Sequence, residues 1–165
     1  SKATMYACFP NKEAMFVAVI EQQCAVMTTA IQAIQSTPGN IARTLTAFGT
    51  DYLRIILSPN LLALFRVVVA EAPRFPDLGR KFYLAAPRVV LLMVAEWLSE
   101  AAQAGEINIQ SVGVETAASL FLSLLRAEGQ LECLTHPDAR PSAAQMSHWV
   151  QLAVTTFLAA FGVDT

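Results

Sequence analysis

The chain has 165 residues, enough for one good core, and is 55% hydrophobic but only 15% charged, against about a quarter charged in an ordinary globular protein. That is more apolar material than a monomer surface carries, so the excess belongs to a partner interface, an internal cavity or both. A formal net charge of −2 and a pI near 5.6 exclude a nucleic-acid-binding body by bulk charge, since such a face is basic; any DNA-binding surface has to be local to Lys2 and Lys12 or lie beyond the body.

The longest apolar runs, 61–70 and 89–95, fall short of the ~20 residues of a spanning helix, and Arg66 interrupts the first. No signal-peptide pattern opens the chain. Cys8, Cys24 and Cys133 are odd in number and lack framework spacing, which suits a reducing cytoplasm.

Taken in order, a short segment ends in a turn at Phe9-Pro10-Asn11 and a long helix starts at once. Asn11 is a good N-cap, and Glu13 lies where the helix dipole favours an acid. Lys12 opposes that dipole by roughly 0.3–1 kcal/mol; it is either a solvated lysine or half of an anion site, completed by the free N–H groups of the helix end. Phe16, Ile20, Cys24, Met27, Ile31 and Ile34 share one side of this helix, with Cys24 and Met27 read as packing residues. Ser36-Thr37-Pro38-Gly39 stops it.

A second helix is predicted from about Asn40 to Leu57, with Ile41, Leu45, Phe48, Tyr52 and Ile55 or Ile56 as its apolar stripe. Gly49 inside it costs about 1 kcal/mol relative to alanine, so it allows close helix contact or leaves room for something bound. The hydroxyl of an inward Tyr52 needs a partner, whether in the core or on a ligand. Ser58-Pro59 reads as N-cap and first helical position. The helix that follows, to about Ala72, is apolar nearly all round and is expected to be buried nearly all round. Arg66 within it can snorkel to the surface, pair with an acid from another helix, or face an acidic ligand.

Phe75-Pro76-Asp77-Leu78-Gly79 marks the next boundary. A helix with Phe82 and Tyr83 follows, Pro87 kinks or splits it, and the continuation with Met93 and Trp97 ends at Gly105. This broken helix is a candidate pocket wall, since kinks make space and methionines fill it adaptably. Ser111 is the next expected N-cap, opening a long helix to about Leu134 with two apolar faces, where Ala117, Ala118 and Gly129 allow close approach. After the loop at His136–Pro141, Ser142 and Gln145 form a capping box, and a last helix runs to Gly162. Two consecutive helices too apolar for one contact face predict a two-fold bundle with a second copy, with Leu122, Leu124, Leu125, Trp149, Val150, Ala153, Val154 and Phe157 at the interface.

Inward spacing, with polar or adaptable groups among the residues, makes Phe48, Tyr52, Phe65, Arg66, Met93, Trp97 and Phe121 the candidate ligand-binding set. No strand signal, phosphate loop or repeat is present in the sequence. His136 and His148 are the only histidines, and Cys133-x-x-His136 is half a metal site at best. The expectation is an all-α protein that is not an enzyme and needs no metal or cofactor. From composition and periodicity alone, an all-helical small-molecule-binding or scaffold module without a DNA role fits as well.

Two sets of residues favour a regulator. Ser1-x-x-Thr4-x-Tyr6-x-x-Phe9-x-x-Lys12-Glu13-x-Met15-Phe16 resembles the end of the helix-turn-helix of TetR-family transcriptional regulators and the start of the helix that follows. Ser58-Pro59-Asn60-Leu61, then 65–72, Phe75-Pro76-Asp77-Leu78, Ala117-Ala118 and 121–126 are similar to the C-terminal domain of the AefR-like subgroup. The resemblance implies that Ser1, Lys2, Thr4, Tyr6 and Lys12 touch operator DNA, chiefly its phosphates, and that Phe9 locks the head onto the body. It implies that residues 1–10 are the remnant of a DNA-binding head whose earlier helices precede Ser1, and that residues 11–165 sense ligand and dimerise. Ala7-Cys8 departs from the larger polar or basic residues common there. The implied function is repression relieved when a small, mostly apolar molecule shifts the first long helix and moves two heads apart.

Overall fold

In a computed structural model of the chain, residues 10–163 are described; Ser1, Lys2, Thr4, Tyr6 and Phe9 lie outside them. The described residues form eight helices: α1 (Lys12–Gln32), α2 (Ile41–Ile56), α3 (Pro59–Glu71), α4 (Pro76–Ala85), α5 (Pro87–Gln103), α6 (Val114–Arg126), α7 (Gly129–Thr135) and α8 (Ala143–Phe161). The all-α architecture expected from the periodicities is the one observed.

Several helix starts follow from local chemistry. The Asn11 side chain accepts from the Ala14 N–H at 2.8 Å, and Asn40 accepts from the Arg43 N–H at 2.9 Å. Ser142 and Gln145 exchange both bonds of the capping box. α2 has a second cap that local sequence does not show: Glu106 Oε2 accepts from the Ile41 N–H at 2.8 Å. It places a carboxylate against the positive end of the helix. The connector carrying Glu106 is itself held by an antiparallel bridge, Ile107 to Gly162, in which Asn108 N–H donates to the Phe161 carbonyl at 2.7 Å.

Other expectations are corrected. Ser58 precedes Pro59 without a side-chain cap bond. α4 begins at Pro76, so Asp77, Leu78 and Gly79 are helical instead of a linker. α6 is led by Gly113 at φ +80°, not by Ser111, because the turn there needs the left-handed backbone that glycine adopts most readily. The long helix expected to reach Leu134 breaks between Arg126 and Gly129. α3 is not buried all round: Leu62 and Val68 are enclosed, whereas Val67 and Val69 face outward, because its packing against α2, α4 and α7 leaves part of its surface uncovered.

The main core joins α2, α5, α6 and α8 around Phe48, Leu98, Phe121 and Phe157. A smaller one, Ile20, Cys24, Val68, Leu78 and Ala86, fastens α1 to α3 and α4. Met27 packs against both. Thr28 Oγ1 on α1 also donates to the Ala85 carbonyl at 3.2 Å, at the joint between α4 and α5. Lys12–Gln32 and Pro76–Gln103 are long and apolar enough to cross a membrane, contrary to the expectation from uninterrupted apolar runs. In this fold they are bundle walls, and the second is divided at Ala86.

Small residues set the closest approaches. A methyl group on Gly49 would meet Leu125 Cδ2 at 2.9 Å and Val150 Cγ1 at 3.0 Å, so this glycine serves helix contact and leaves no space for a ligand. At Gly129 an added methyl would be driven into the Trp149 ring, whose Nε1 donates to Glu128 at 2.8 Å. Gly129→Ala is expected to cost about 1–3 kcal/mol through overpacking. For a chain of this size the melting temperature then falls by roughly 2–4 °C per kcal/mol. A thermal melt matching the wild type would show that the Trp149 ring moves aside freely.

Candidate ligand cavity

The helices leave a chamber of about 160 Å³. Met27 reaches it from α1, Tyr52 and Ile56 from α2, and Leu61, Leu62 and Phe65 from α3. Phe82 and Tyr83 come from α4, Pro87, Val90 and Leu91 from α5, Ser119, Leu122 and Arg126 from α6, and Gln130 from α7. The sequence explains the convergence. Tyr52 and Ile56 are one turn apart on α2, and Ser119, Leu122 and Arg126 follow the three-and-four spacing of one face of α6. Pro87 and its neighbour Ala86 interrupt the α4–α5 helix, and the bend brings Tyr83 and Val90 to the same space. Tyr83 is half exposed and lies at the rim.

Of the seven residues expected to bind ligand, Tyr52 and Phe65 line this chamber. Phe48 lies behind it, stacked on Tyr52 with centroids 5.2 Å apart. Trp97 meets Phe48 edge-on at 5.6 Å, and Phe121 tilts against Phe48 at 6.4 Å. Met93 is half-buried against the same core. These four form the packed floor under Tyr52 and do not face the chamber; helical spacing places them inward but cannot say whether inward means cavity or core.

Arg66 takes none of the three roles open to it in sequence. It turns away from the chamber and donates from Nε to the Leu134 carbonyl at 2.9 Å and from Nη2 to the Cys133 carbonyl. Both carbonyls belong to the last turn of α7, where unpaired acceptors and the dipole favour a cation. Cys133 is buried, and burial, then the nearby Glu132 charge, pushes its thiol up, with Arg140 and Arg66 opposing. Burial likewise raises the Cys24 thiol, with Glu21 adding to it. Protonated and enclosed, both thiols suit the packing role.

The expected dimer residues are also placed differently. Leu122 faces the chamber, and Leu125, Val150, Ala153, Val154 and Phe157 are buried within the single chain. Trp149 is enclosed against Gly129 and bonded to Glu128, and Leu124 is half-buried against the core. The inner faces of α6 and α8 are therefore consumed by their own bundle. Their outer faces are different: α8 carries no Asp, Glu, Lys or Arg over its whole length. It exposes His148, Gln151, Leu152, Thr155, Thr156 and Ala159, and α6 exposes Thr116, Leu120 and Ser123.

Solved structures share this all-helical bundle. A TetR-family transcriptional regulator from Mesorhizobium loti superposes with a TM-score of 0.85 at 24% identity, covering 99% of this chain and 81% of that one. One from Agrobacterium tumefaciens gives 0.81 at 22%, covering 99% and 79%. The flavonoid-responsive regulator FrrA gives 0.76 at 29%, covering 100% and 82%. Residues 43–163 match the family described as AefR-like transcriptional repressor, C-terminal domain. No curated protein matches the sequence. The chain belongs to the TetR family of transcriptional regulators, in its AefR-like branch.

Proposed function

We propose that residues 11–165 are the ligand-sensing and dimerising body of a cytoplasmic repressor, and that residues 1–10 are the end of its DNA-binding head. The observation that carries this reading is the wall of the chamber: Met27, from the helix that leads back to the opening motif, faces the same space as Tyr52, Phe65 and Arg126. Met27 also packs in the small core that holds α1 to α4, and Thr28 ties α1 to Ala85. A molecule that fills the chamber displaces Met27 and Phe82, and α1 carries the displacement towards the head. The ligand loosens operator binding by the same factor by which operator loosens ligand binding. FrrA, a related structure, is a flavonoid-responsive regulator, which supports a small-molecule trigger. No catalytic step belongs to this reading.

The second copy is proposed to dock on the uncharged outer faces of α6 and α8, through Leu120, Leu152 and the small polar residues around them. Two charge-free stripes on adjacent helices are what a self-complementary interface needs.

Lys12 is exposed, with Nζ 5.3 Å from the Phe16 ring centroid, and is free to reach a phosphate beside the helix N-terminus. The test is a mobility-shift assay with the full-length polypeptide and the DNA flanking its own gene. A retarded band that disappears on adding ligand is expected. Lys12→Ala should weaken binding about equally on all sequences and lower the salt slope by about one. No retardation at any protein concentration overturns the DNA reading.

A further inference from the structure

Among the polar side chains that line the chamber, Tyr52, Tyr83, Ser119, Arg126 and Gln130, the tyrosine at 52 and the arginine at 126 stand out. Tyr52 is only 6% exposed. Its ring is fixed on Phe48, and its hydroxyl opens into the chamber without a hydrogen bond to any described residue. Across from it, Arg126 donates from Nε to the Leu122 carbonyl of its own helix at 3.0 Å. That bond holds the guanidinium against its own helix, and the side chain lines the chamber. Among the described residues Arg126 makes no ion pair, and the nearest acid in sequence, Glu128, is engaged by the Trp149 indole. Burial raises the Tyr52 phenol, and the Arg126 charge acts on it in the opposite sense, so the two groups share one field.

A half-buried guanidinium and a tyrosine hydroxyl that line one largely apolar space offer donors that a single acceptor between them can complete. An anionic oxygen satisfies both, since it accepts from a cation and from a hydroxyl, and charge-assisted bonds of this kind are about twice as strong as neutral ones. Apart from Ser119 and Gln130, the rest of the chamber is aromatic and aliphatic, with Phe65 and Phe82 at 5.8 Å between centroids and Tyr83 at the rim. A space of about 160 Å³ is close to that of a cavity known to hold benzene, so it accepts one ring or a compact pair of rings opening towards Tyr83. We propose that the ligand is a flat aromatic anion, a carboxylate or phenolate, whose charged oxygen rests on Arg126 and Tyr52 and whose ring lies against Phe65 and Phe82. This rests on the reading of the chamber as the ligand site.

The test uses two probes of one shape, naphthalene-2-carboxylate and naphthalene-2-carboxamide, titrated calorimetrically into the wild-type protein, Arg126→Gln and Tyr52→Phe. The carboxylate is expected to bind the wild type at least tenfold more tightly than the amide. Arg126→Gln should abolish that preference, and Tyr52→Phe should reduce it. Equal or tighter binding of the amide to the wild type overturns the anion, yet leaves the chamber a ligand site. If neither probe binds, the proposal fails; if naphthalene itself also fails to bind, the ligand-site reading fails with it. The wild-type ratio decides the matter even where a variant folds poorly.

Discussion

Phe157→Glu is expected to destabilise the fold of the single chain strongly, not merely to separate it from a second copy. Phe157 is 0% exposed, with the Phe121 ring 5.4 Å away and the Phe161 ring 5.0 Å away. The substitution removes a large buried ring and puts a carboxylate in its place with no cation beside it. Losing the ring costs about 3–5 kcal/mol, and enclosing an unpaired polar group adds to it. A domain stable by about 5–15 kcal/mol does not absorb this easily. A melting temperature lower by at least roughly 10 °C is expected, with Phe157→Leu much closer to the wild type. Circular dichroism on heating checks it. A variant with the wild-type melt and half the wild-type mass would return Phe157 to an interface between copies, as its sequence spacing suggests.

Leu152→Glu is the complementary case and should separate the copies while leaving each folded. Leu152 is 54% exposed, so its replacement leaves no hole in the core. If α8 meets its two-fold mate through this face, the leucine sits in the interface and so does its symmetry copy. Two carboxylates are then enclosed together, which costs both desolvation and repulsion. Association weakened by about 100-fold or more is expected, equivalent to roughly 2.7 kcal/mol, and light scattering on the 165-residue chain should move from twice towards once 17.8 kDa. Leu120→Glu should act in the same direction. A wild-type mass for both variants would place the interface elsewhere, and a monomeric wild type would remove the dimer itself from the proposal.

Leu152 and Phe157 lie on one helix, and both are apolar; periodicity puts them on different faces without saying which face meets a neighbour in the same chain. α6 has the same ambiguity. Spacing alone assigns its Leu122 to a partner, and the fold places it at the ligand chamber, whereas Leu120, on the face left outward, carries no distinguishing signal in the sequence.

What depends on a few adjacent residues was legible in the sequence. The caps at Asn11 and Ser142 and the interruption at Pro87 were readable because capping and helix breaking are settled within one turn of backbone. The inward stripe through Tyr52 was readable because its spacing belongs to a single helix. The resemblance carried by Phe65 to Ala72 and by Ala117-Ala118 led to the family. Tertiary structure alone decided the rest. Arg66 ends on the carbonyls of α7, Arg126 and Tyr52 face one chamber, and the indole of Trp149 fills the space at Gly129. Each of these joins groups far apart in the chain, and which of them meet is settled by the angles at which the helices cross, a property of the packed bundle that no single stretch of sequence contains.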